Sequence, residues 1–254
     1  MCKIIVMANQ KGGVAKTSST RNLAYSLAEL GKKVLAVDFD PQTNLTISFG
    51  VAPAALQETA ASLMMKLVMD EALPEKASYI LNIGKVDLLP SKKTLTVAEV
   101  NLLIERKDDC LAKLLAPLRA DYDYILVDTG PSLGSLTINA FTAADEIIIP
   151  VDPELFALVG LKELTETISK IKQNLNPKVI IGILFTKCSK RTTLYRQTSE
   201  QVRSVFGHLP IFESQIPATV QVGNANSKGL SVMELDAKSP AAAAYMNLAK
   251  EVLA

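Results

Sequence analysis

The sequence contains no tryptophan, a single histidine and only three cysteines among its 254 residues. The cysteines, Cys2, Cys110 and Cys188, are odd in number, lie far apart and do not cluster in the manner of metal ligands. His208 likewise has no neighbouring metal ligand in the sequence. A disulfide framework is therefore not expected, and a reducing, cytoplasmic environment is predicted.

Long hydrophobic runs and a strong charge imbalance are missing as well. No apolar stretch approaches the ~18 residues of a membrane span, and the segment before Asn9 is too short for the core of a signal peptide. The formal net charge is +1, so a nucleic-acid surface would have to be a local patch. Hydrophobic residues make up 48% of the chain and aromatics only 5%. Such an interior of Val, Ile, Leu and Ala is typical of a parallel sheet covered by helices.

Strand-length apolar runs alternate with helix-like segments, which predicts one α/β domain with a mostly parallel central sheet flanked by helices on both faces. The predicted strands are Lys3–Ala8, Lys33–Asp38, Val86–Pro90, Asp123–Asp128, Glu146–Pro150, Val179–Phe185 and Leu209–Phe212. The predicted helices lie near Lys16–Leu30, Leu95–Leu118, Leu133–Thr142, Leu158–Asn174, Thr193–Phe206 and Pro240–Leu253. The segment Val51–Lys85 is expected to add a helix whose position the pattern does not fix.

The stretch "NQKGGVAKTSS" lies between the first predicted strand and a predicted helix. A strand–loop–helix context is the one in which a glycine-rich loop binds phosphate, because the backbone N–H groups and the positive helix end attract anions. Lys16 is then predicted to reach the terminal phosphates, and the Thr17 hydroxyl to bind magnesium. The alternative is an ordinary glycine-rich turn with a lysine facing water.

The loop departs from the Walker pattern G-x-x-x-x-G-K-[ST], which has glycines where this chain has Gln10 and Ala15. If position 15 requires a positive φ, its Cβ costs roughly 1–2 kcal/mol. That cost weakens a binding loop without abolishing it. Gly12 and Gly13 still allow the backbone to approach a phosphate closely.

Three carboxylates follow two of the predicted strands. Asp38 and Asp40 end the strand in "VLAVDFD", and Asp128 ends the strand in "YILVD". Ligands of open α/β sheets bind at the carboxyl ends of parallel strands. Although one acid could be a helix cap, three acids combined with Lys16 and Thr17 predict a phosphate–magnesium site.

The motifs "KGGVAKTSS", "VDFDPQTN" and "YDYILVDTGPSLG" resemble the deviant Walker A, Walker A′ and Walker B motifs of the ParA/MinD ATPases. The resemblance continues through "DLLPSKKTLTVAEVNL", "TINAFTAADEIIIPVDPELFALVGL" and the segment from Ile216 to Leu253, and it is closest to the small ParA/Soj branch. It implies a single-domain P-loop NTPase over residues 1–254. The N-terminal helix-turn-helix domain of larger ParA proteins is expected to be absent.

The resemblance also implies roles for individual residues. Lys11 corresponds to the signature lysine, which crosses a dimer interface to the phosphates bound by the partner subunit. Asp40 is implied to orient the attacking water, and Lys11, Lys16 and Asp40 form the catalytic set. The implied magnesium site consists of Thr17, Asp38 and Asp128. The implied nucleotide-binding residues are Lys11, Gly12, Gly13, Val14, Ala15, Lys16, Thr17, Ser18, Pro217 and Thr219.

This sequence differs from the family pattern at several of these motifs. Gly130 replaces a common proline after Walker B, and Thr219 replaces a base-facing asparagine. Ala218 and Gln221 stand where relatives carry arginines of a DNA-binding region. A basic patch further upstream is the predicted DNA-binding surface, with a solvated helix face as the alternative; it comprises Lys187, Lys190, Arg191, Arg196 and Arg203.

These features together predict an ATP-dependent partition ATPase with ATP and Mg²⁺ as cofactors. It would dimerise with ATP, bind double-stranded DNA non-specifically in the cytoplasm at the nucleoid, and hydrolyse ATP slowly until a ParB-like centromere-binding protein stimulates it. No membrane partner is expected, because the C-terminal "AAAAYMNLAKEVLA" has few basic residues, unlike the amphipathic helix of a MinD-like membrane-positioning ATPase. An iron–sulfur reductase would need cysteines after the Walker B motif. A ParA-like ATPase that positions a non-DNA cargo would have the same site.

Overall fold

The structure, a computed structural model, describes residues 1–154 and 157–254. Leu155 and Phe156, which belong to one of the motifs quoted above, lie outside the described residues. In the described part, seven strands form one sheet in the order β3-β4-β2-β5-β1-β6-β7. Their bounds are β1 Lys3–Met7, β2 Val34–Phe39, β3 Leu81–Ile83, β4 Val86–Leu89, β5 Tyr124–Thr129, β6 Glu146–Val151 and β7 Ile180–Phe185. All neighbouring strands are parallel except the β3–β4 pair.

Helices cover both faces of this sheet, which confirms the predicted fold class. They are α1 Lys16–Glu29, α2 Asn44–Ser48, α3 Ala60–Val68, α4 Leu95–Glu105, α5 Cys110–Leu115, α6 Ser135–Ala143, α7 Ala157–Asn174, α8 Thr193–Phe206, α9 Gln221–Ser227, α10 Val232–Asp236 and α11 Pro240–Leu253. Alternate side chains of β1 enter two separate cores: Ile4 and Val6 pack with α3–α8, and Ile5 and Met7 with α1 and α11. Strands buried on both faces explain why the apolar runs lack alternation.

Two sequence-based predictions were wrong in detail. The predicted helix Leu95–Leu118 is interrupted after Glu105, because Arg106 adopts a left-handed φ of 52° and the Lys107 amide bonds back to the Leu102 carbonyl. This closes the helix as a C-terminal cap. The predicted strand Leu209–Phe212 is reduced to a single bridge between Ile211 and Ile183 of β7.

The undecided segment Val51–Lys85 contains α3 and the short antiparallel strand β3. None of the helices in the described residues has both the length and the apolar character needed to cross a membrane.

The strand order positions the acidic residues. Strand β5 lies between β1 and β2, and Asp128 is the register partner of both Asp38 and Met7. The segment that follows β1 is the glycine-rich loop. Carboxylates, loop and the N-terminus of α1 therefore meet at one edge of the sheet.

Candidate active site

A cavity of about 690 Å³ opens at this edge. Its walls come from the loop and the first turn of α1, the segment after β2, the segment after β7 and α9. Ten of the predicted site residues line it: Gly12, Gly13, Ala15, Lys16, Thr17, Ser18, Asp40, Lys187, Pro217 and Thr219. The cavity has the size and the polar loop of a nucleotide site.

The loop holds its shape through internal hydrogen bonds. The Lys11 amide donates to Asn9 Oδ1 (2.9 Å), and Asn9 Nδ2 donates to the Pro150 carbonyl (2.7 Å). Ala15 has φ 68°, and its carbonyl accepts the Ser19 amide at the start of α1. The positive φ anticipated at this position is therefore present, with a Cβ in a conformation that favours glycine. Val14 is buried, and its carbonyl accepts a hydrogen bond from Thr186 Oγ1 (3.0 Å).

Lys16 is folded over the loop. Its side chain is buried, and Nζ donates to the carbonyls of Asn9 (2.8 Å) and Lys11 (3.4 Å). Burial lowers the pKa of Lys16, while the charges of Asp128 and Asp40 oppose that shift. An ammonium group inside the loop, in front of the N-terminus of α1, is well placed for an anionic ligand.

Asp38 and Asp128 are both completely buried behind the cavity. Thr17 Oγ1 donates to Asp128 Oδ2 (2.6 Å), whereas Asp38 Oδ2 accepts from the amide (2.7 Å) and hydroxyl (2.6 Å) of Thr46. Burial raises the pKa of Asp38 to about 6, against the hydrogen bonds from Thr46. Burial and then the charge of Asp38 raise the pKa of Asp128 well above its usual value.

This cluster fits a magnesium ion. Buried, mutually repelling carboxylates ionise fully only when a cation lies beside them, and magnesium prefers oxygen donors from one or two carboxylates together with a hydroxyl and phosphates. Thr17 and Asp128 are in direct contact, so they can hold such an ion between the loop and β5. Asp38 is one strand further out, where it can orient the metal shell.

Asp40 lies at the cavity wall, and its Oδ1 accepts the Gln42 amide (2.9 Å). Gly130 lies beside this carboxylate, and a Cβ at that position would be 3.1 Å from Asp40 Oδ1. A larger residue would press on the carboxylate. Glycine at this position adds no side-chain atoms beside Asp40, which lines the cavity.

Lys11 does not line this cavity. Its Nζ forms an ion pair with Glu154 Oε2 at 2.5 Å, and the two side chains are 38% and 54% exposed. The lysine therefore points away from the phosphate loop of its own chain, towards the segment that follows β6. Sequence reasoning missed Glu154, which is 143 positions away along the chain.

The far end of the cavity contains residues that sequence reasoning also missed. Ile47 and Ser48 from α2 and Gly223 and Asn226 from α9 line it beside the two predicted residues Pro217 and Thr219. Both helices have seven residues or fewer, so they carry no periodic apolar pattern that could have revealed them. Thr219 Oγ1 accepts the Gln221 amide (3.2 Å).

The predicted basic patch divides into two parts. Lys190, Arg191, Arg196 and Arg203 are exposed on and before α8. Lys187 is also exposed, but it lines the cavity, and its Nζ lies 3.5 Å from Asp152 Oδ2. The three cysteines are free and buried in the described structure, where they offer no surface for a cluster shared between subunits.

The chain is similar to several known proteins along nearly its full length. A family described as "AAA domain" matches residues 2–181. The chain is 37% identical to the sporulation initiation inhibitor protein Soj of Bacillus subtilis, over 100% of this chain and 99% of Soj. It is 36% identical to the chromosome partitioning protein ParA of Caulobacter vibrioides, over 99% of this chain and 94% of ParA. A structure of cobyrinic acid a,c-diamide synthase from Mycobacterium smegmatis with bound ADP and magnesium is similar, with a TM-score of 0.86, 33% identity and coverage of 100% and 94%.

The sheet is mostly parallel, a phosphate loop follows β1, and acidic residues lie at the carboxyl ends of the neighbouring strands β2 and β5. These features together define a P-loop nucleoside triphosphatase. Within that class, the chain belongs to the ParA/MinD family of ATPases.

Proposed function

We propose that this chain is an ATP-switched partition ATPase that segregates chromosome or plasmid DNA. It binds ATP with Mg²⁺, dimerises in the ATP state, binds DNA non-specifically at the nucleoid, and returns to the monomer after slow hydrolysis that a ParB-like protein stimulates. The observation that carries the proposal is the combination of Lys16 and Thr17 at the cavity, Asp128 behind it in contact with Thr17, and Lys11 directed away from it. The names of Soj and ParA, at 36–37% identity over nearly the full chain, support partition as the role.

The site residues divide the chemistry among them. Lys16 and the loop amides bind the phosphates, and bound magnesium supplies neutralisation of the developing phosphate charge. Asp40 orients a water at the cavity wall. A carboxylate is a weak base, so the main contribution of Asp40 is to orient the water, and turnover is slow. A partner that improves this geometry would accelerate hydrolysis.

Lys11 would complete the site of the partner subunit. Two triphosphates facing each other concentrate negative charge, and a cation from across the gap stabilises the closed dimer. The ion pair with Glu154 must break before Lys11 can cross. Glu154 thus competes with the partner's nucleotide for the same ammonium group.

A Glu154→Gln variant is therefore expected to dimerise at a two- to fivefold lower ATP concentration, since exposed ion pairs contribute about 1 kcal/mol or less. Sedimentation velocity across an ATP titration measures this midpoint. Glu29→Gln is the matched control, because it removes the same charge from an exposed pair with Lys85 (2.8 Å). A midpoint for Glu154→Gln that equals or exceeds the wild-type value would contradict the competition.

The DNA surface is assigned to the part of the basic patch that lies on and before α8. Replacing Arg191 and Arg196 together by glutamate is expected to weaken ATP-dependent binding to random duplex at least about tenfold at low salt, and to flatten the dependence on salt. Fluorescence anisotropy at several salt concentrations measures both effects. This assay also tests the proposed function, which requires that wild-type binding depend on ATP.

The control for the DNA assay is the double charge reversal of Lys172 and Lys178. Both side chains are exposed, and both precede β7, whereas the patch follows it. We expect their reversal to leave DNA binding within twofold of wild type. Equal losses of DNA affinity in the two double variants would show that binding responds only to net charge. The basic patch would then not be the DNA-binding surface.

Two alternative functions are a membrane-positioning ATPase and an ATPase that positions a non-DNA cargo. A MinD-like membrane function is disfavoured because α11 packs its apolar side against the core through Tyr245, Leu248 and Val252. ATP-dependent dimerisation without DNA binding would instead support the positioning of a non-DNA cargo.

A further inference from the structure

Arg21, in the second turn of α1, is a buried cation that the nucleotide site described above does not use. Its side chain is only 3% exposed. Nη2 donates to the Gly229 carbonyl (2.6 Å), and the guanidinium carbon lies 4.7 Å from the centre of the Phe49 ring. Glu234, at 4.0 Å, is its nearest acidic partner. Burying an arginine to this extent costs desolvation free energy unless hydrogen bonds and opposite charges offset it.

These contacts join three parts of the cavity. Arg21 belongs to the helix that carries Lys16 and Thr17. Phe49 directly follows α2, whose Ile47 and Ser48 line the cavity. Gly229 follows α9, whose Gly223 and Asn226 also line the cavity. The two segments touch behind the arginine, since a Cβ at Gly229 would lie 3.2 Å from Gly50 Cα.

Asn226 is tied to the same arginine by its position. Its Nδ2 donates to Ser18 Oγ (3.1 Å), and Ser18 lies three residues before Arg21, on the same side of α1. The Asn226 carbonyl also accepts the amide of Gly229, whose own carbonyl Arg21 holds. Asn226 and Arg21 are therefore linked in two ways, through Ser18 on α1 and through Gly229 after α9.

Several polar atoms in this region have no hydrogen-bond partner within the described residues. They are Arg21 Nε, Arg21 Nη1 and Asn226 Oδ1. Buried donors on Arg21 and a buried acceptor on Asn226, two residues that Ser18 and Gly229 link, favour a small movement that would pair them. Such a movement draws α9 towards α1 and narrows the end of the cavity away from the phosphate loop.

We propose that Arg21 is a positioning residue for the base-binding half of the cavity, which it fixes through Gly229 and closes through Asn226. This inference rests on the proposed function, because it assigns the far end of the cavity to the base of ATP. The phosphate half depends on Lys16, Thr17 and the loop amides, which Arg21 does not contact. Arg21 therefore contributes to the affinity for the nucleoside part of the ligand and leaves the affinity for its phosphates unchanged.

The test compares two ligands by calorimetric titration in the presence of Mg²⁺: a non-hydrolysable ATP analogue and inorganic tripolyphosphate. For Arg21→Met, affinity for the analogue is expected to fall about tenfold, as for the loss of a charge-assisted hydrogen bond. Affinity for tripolyphosphate should stay within twofold of wild type. Arg21→Lys serves if the methionine variant does not fold, because lysine keeps the charge and loses the fork geometry.

Two further variants complete the test. Asn226→Ala should reduce affinity for the analogue in the same direction, and combining it with Arg21→Met should add little, because the pair acts together. Arg119→Met is the control. This arginine, 34% exposed, donates to the Cys2 carbonyl (2.8 Å) and pairs with Asp145 (3.0 Å), away from the cavity, so its replacement should change neither affinity.

The outcomes separate this inference from the proposed function. If the wild-type protein bound neither ligand, the proposed function and the inference about Arg21 would both be refuted. If it bound both, and Arg21→Met lost affinity for the two ligands equally or for neither, only the role of Arg21 would be refuted. Additive losses in Arg21→Met and Asn226→Ala would refute the closure through Asn226.

Discussion

A Lys11→Ala variant is expected to remain monomeric at ATP concentrations that convert the wild-type protein to a dimer. Truncating one member of a desolvated charge pair at an interface costs about 2–5 kcal/mol, or at least a thirtyfold loss of dimer affinity. ATP binding itself should persist, because Lys11 does not line the cavity of its own chain and its ammonium group contacts Glu154.

Sedimentation velocity with ATP and with ADP measures the dimer, and equilibrium titration measures binding. Lys3→Ala is a suitable control, since the Lys3 side chain is 34% exposed and also forms a short ion pair, with Glu146 at 2.6 Å. It should dimerise as the wild type does. Equal dimer content in the wild type and Lys11→Ala would be incompatible with a lysine that crosses between subunits.

An Asp40→Ala variant should behave in the opposite way, forming the ATP dimer and failing to hydrolyse the nucleotide. Asp40 reaches the cavity wall without contacting Lys16 or Thr17 by hydrogen bonds, so binding is retained. Loss of a positioned carboxylate next to the attacking water typically costs about 10²–10⁴-fold in rate. Phosphate release from the purified dimer measures the effect.

The control for Asp40→Ala is Asp121→Ala, which removes an exposed carboxylate paired with Lys76 (2.7 Å). Its hydrolysis rate should match that of the wild type. A rate for Asp40→Ala within tenfold of wild type would assign the water to another group.

The central part of the site could be predicted from the sequence because its residues follow parallel strands that end at the same edge of the sheet. In a parallel sheet every strand ends at the same edge, so acids that follow two strands and a loop that follows a third must converge. Lys16, Thr17 and Asp40 do line one cavity in the structure, and their roles there stay predictions. The parallel sheet was also predictable, because strands buried on both faces appear in the sequence as continuous apolar runs.

Contacts between distant segments were not predictable in this way. The partner of Lys11 comes from a turn after β6, and nothing in the local pattern of Glu154 distinguishes it from a solvated acid. Arg21 stands in a helix whose other residues suggest an exposed polar position, yet the loops at Gly50 and Gly229 close over it. Burial of this kind depends on packing between short segments that have no periodicity.

The strand predicted at Leu209–Phe212 fails for a related reason. Pro210 has no amide to donate to a neighbouring strand. The Phe212 amide still donates to the Ile183 carbonyl (2.9 Å), but the amides of Glu213 and Ser214 bond to the Glu251 carboxylate of α11 (both 2.8 Å). A side chain from the C-terminal helix thus takes the donors that a longer strand would have used.

The most direct test of the shared site mixes two inactive proteins, Lys11→Ala and Asp40→Ala, and measures ATP hydrolysis. In a mixed dimer, the Lys11→Ala subunit keeps its own Asp40 and receives an ammonium group from its neighbour, so one complete site forms and activity returns. If lysine 11 instead served the nucleotide of its own chain, both sites would stay defective, and the mixture would hydrolyse no faster than the two variants measured apart.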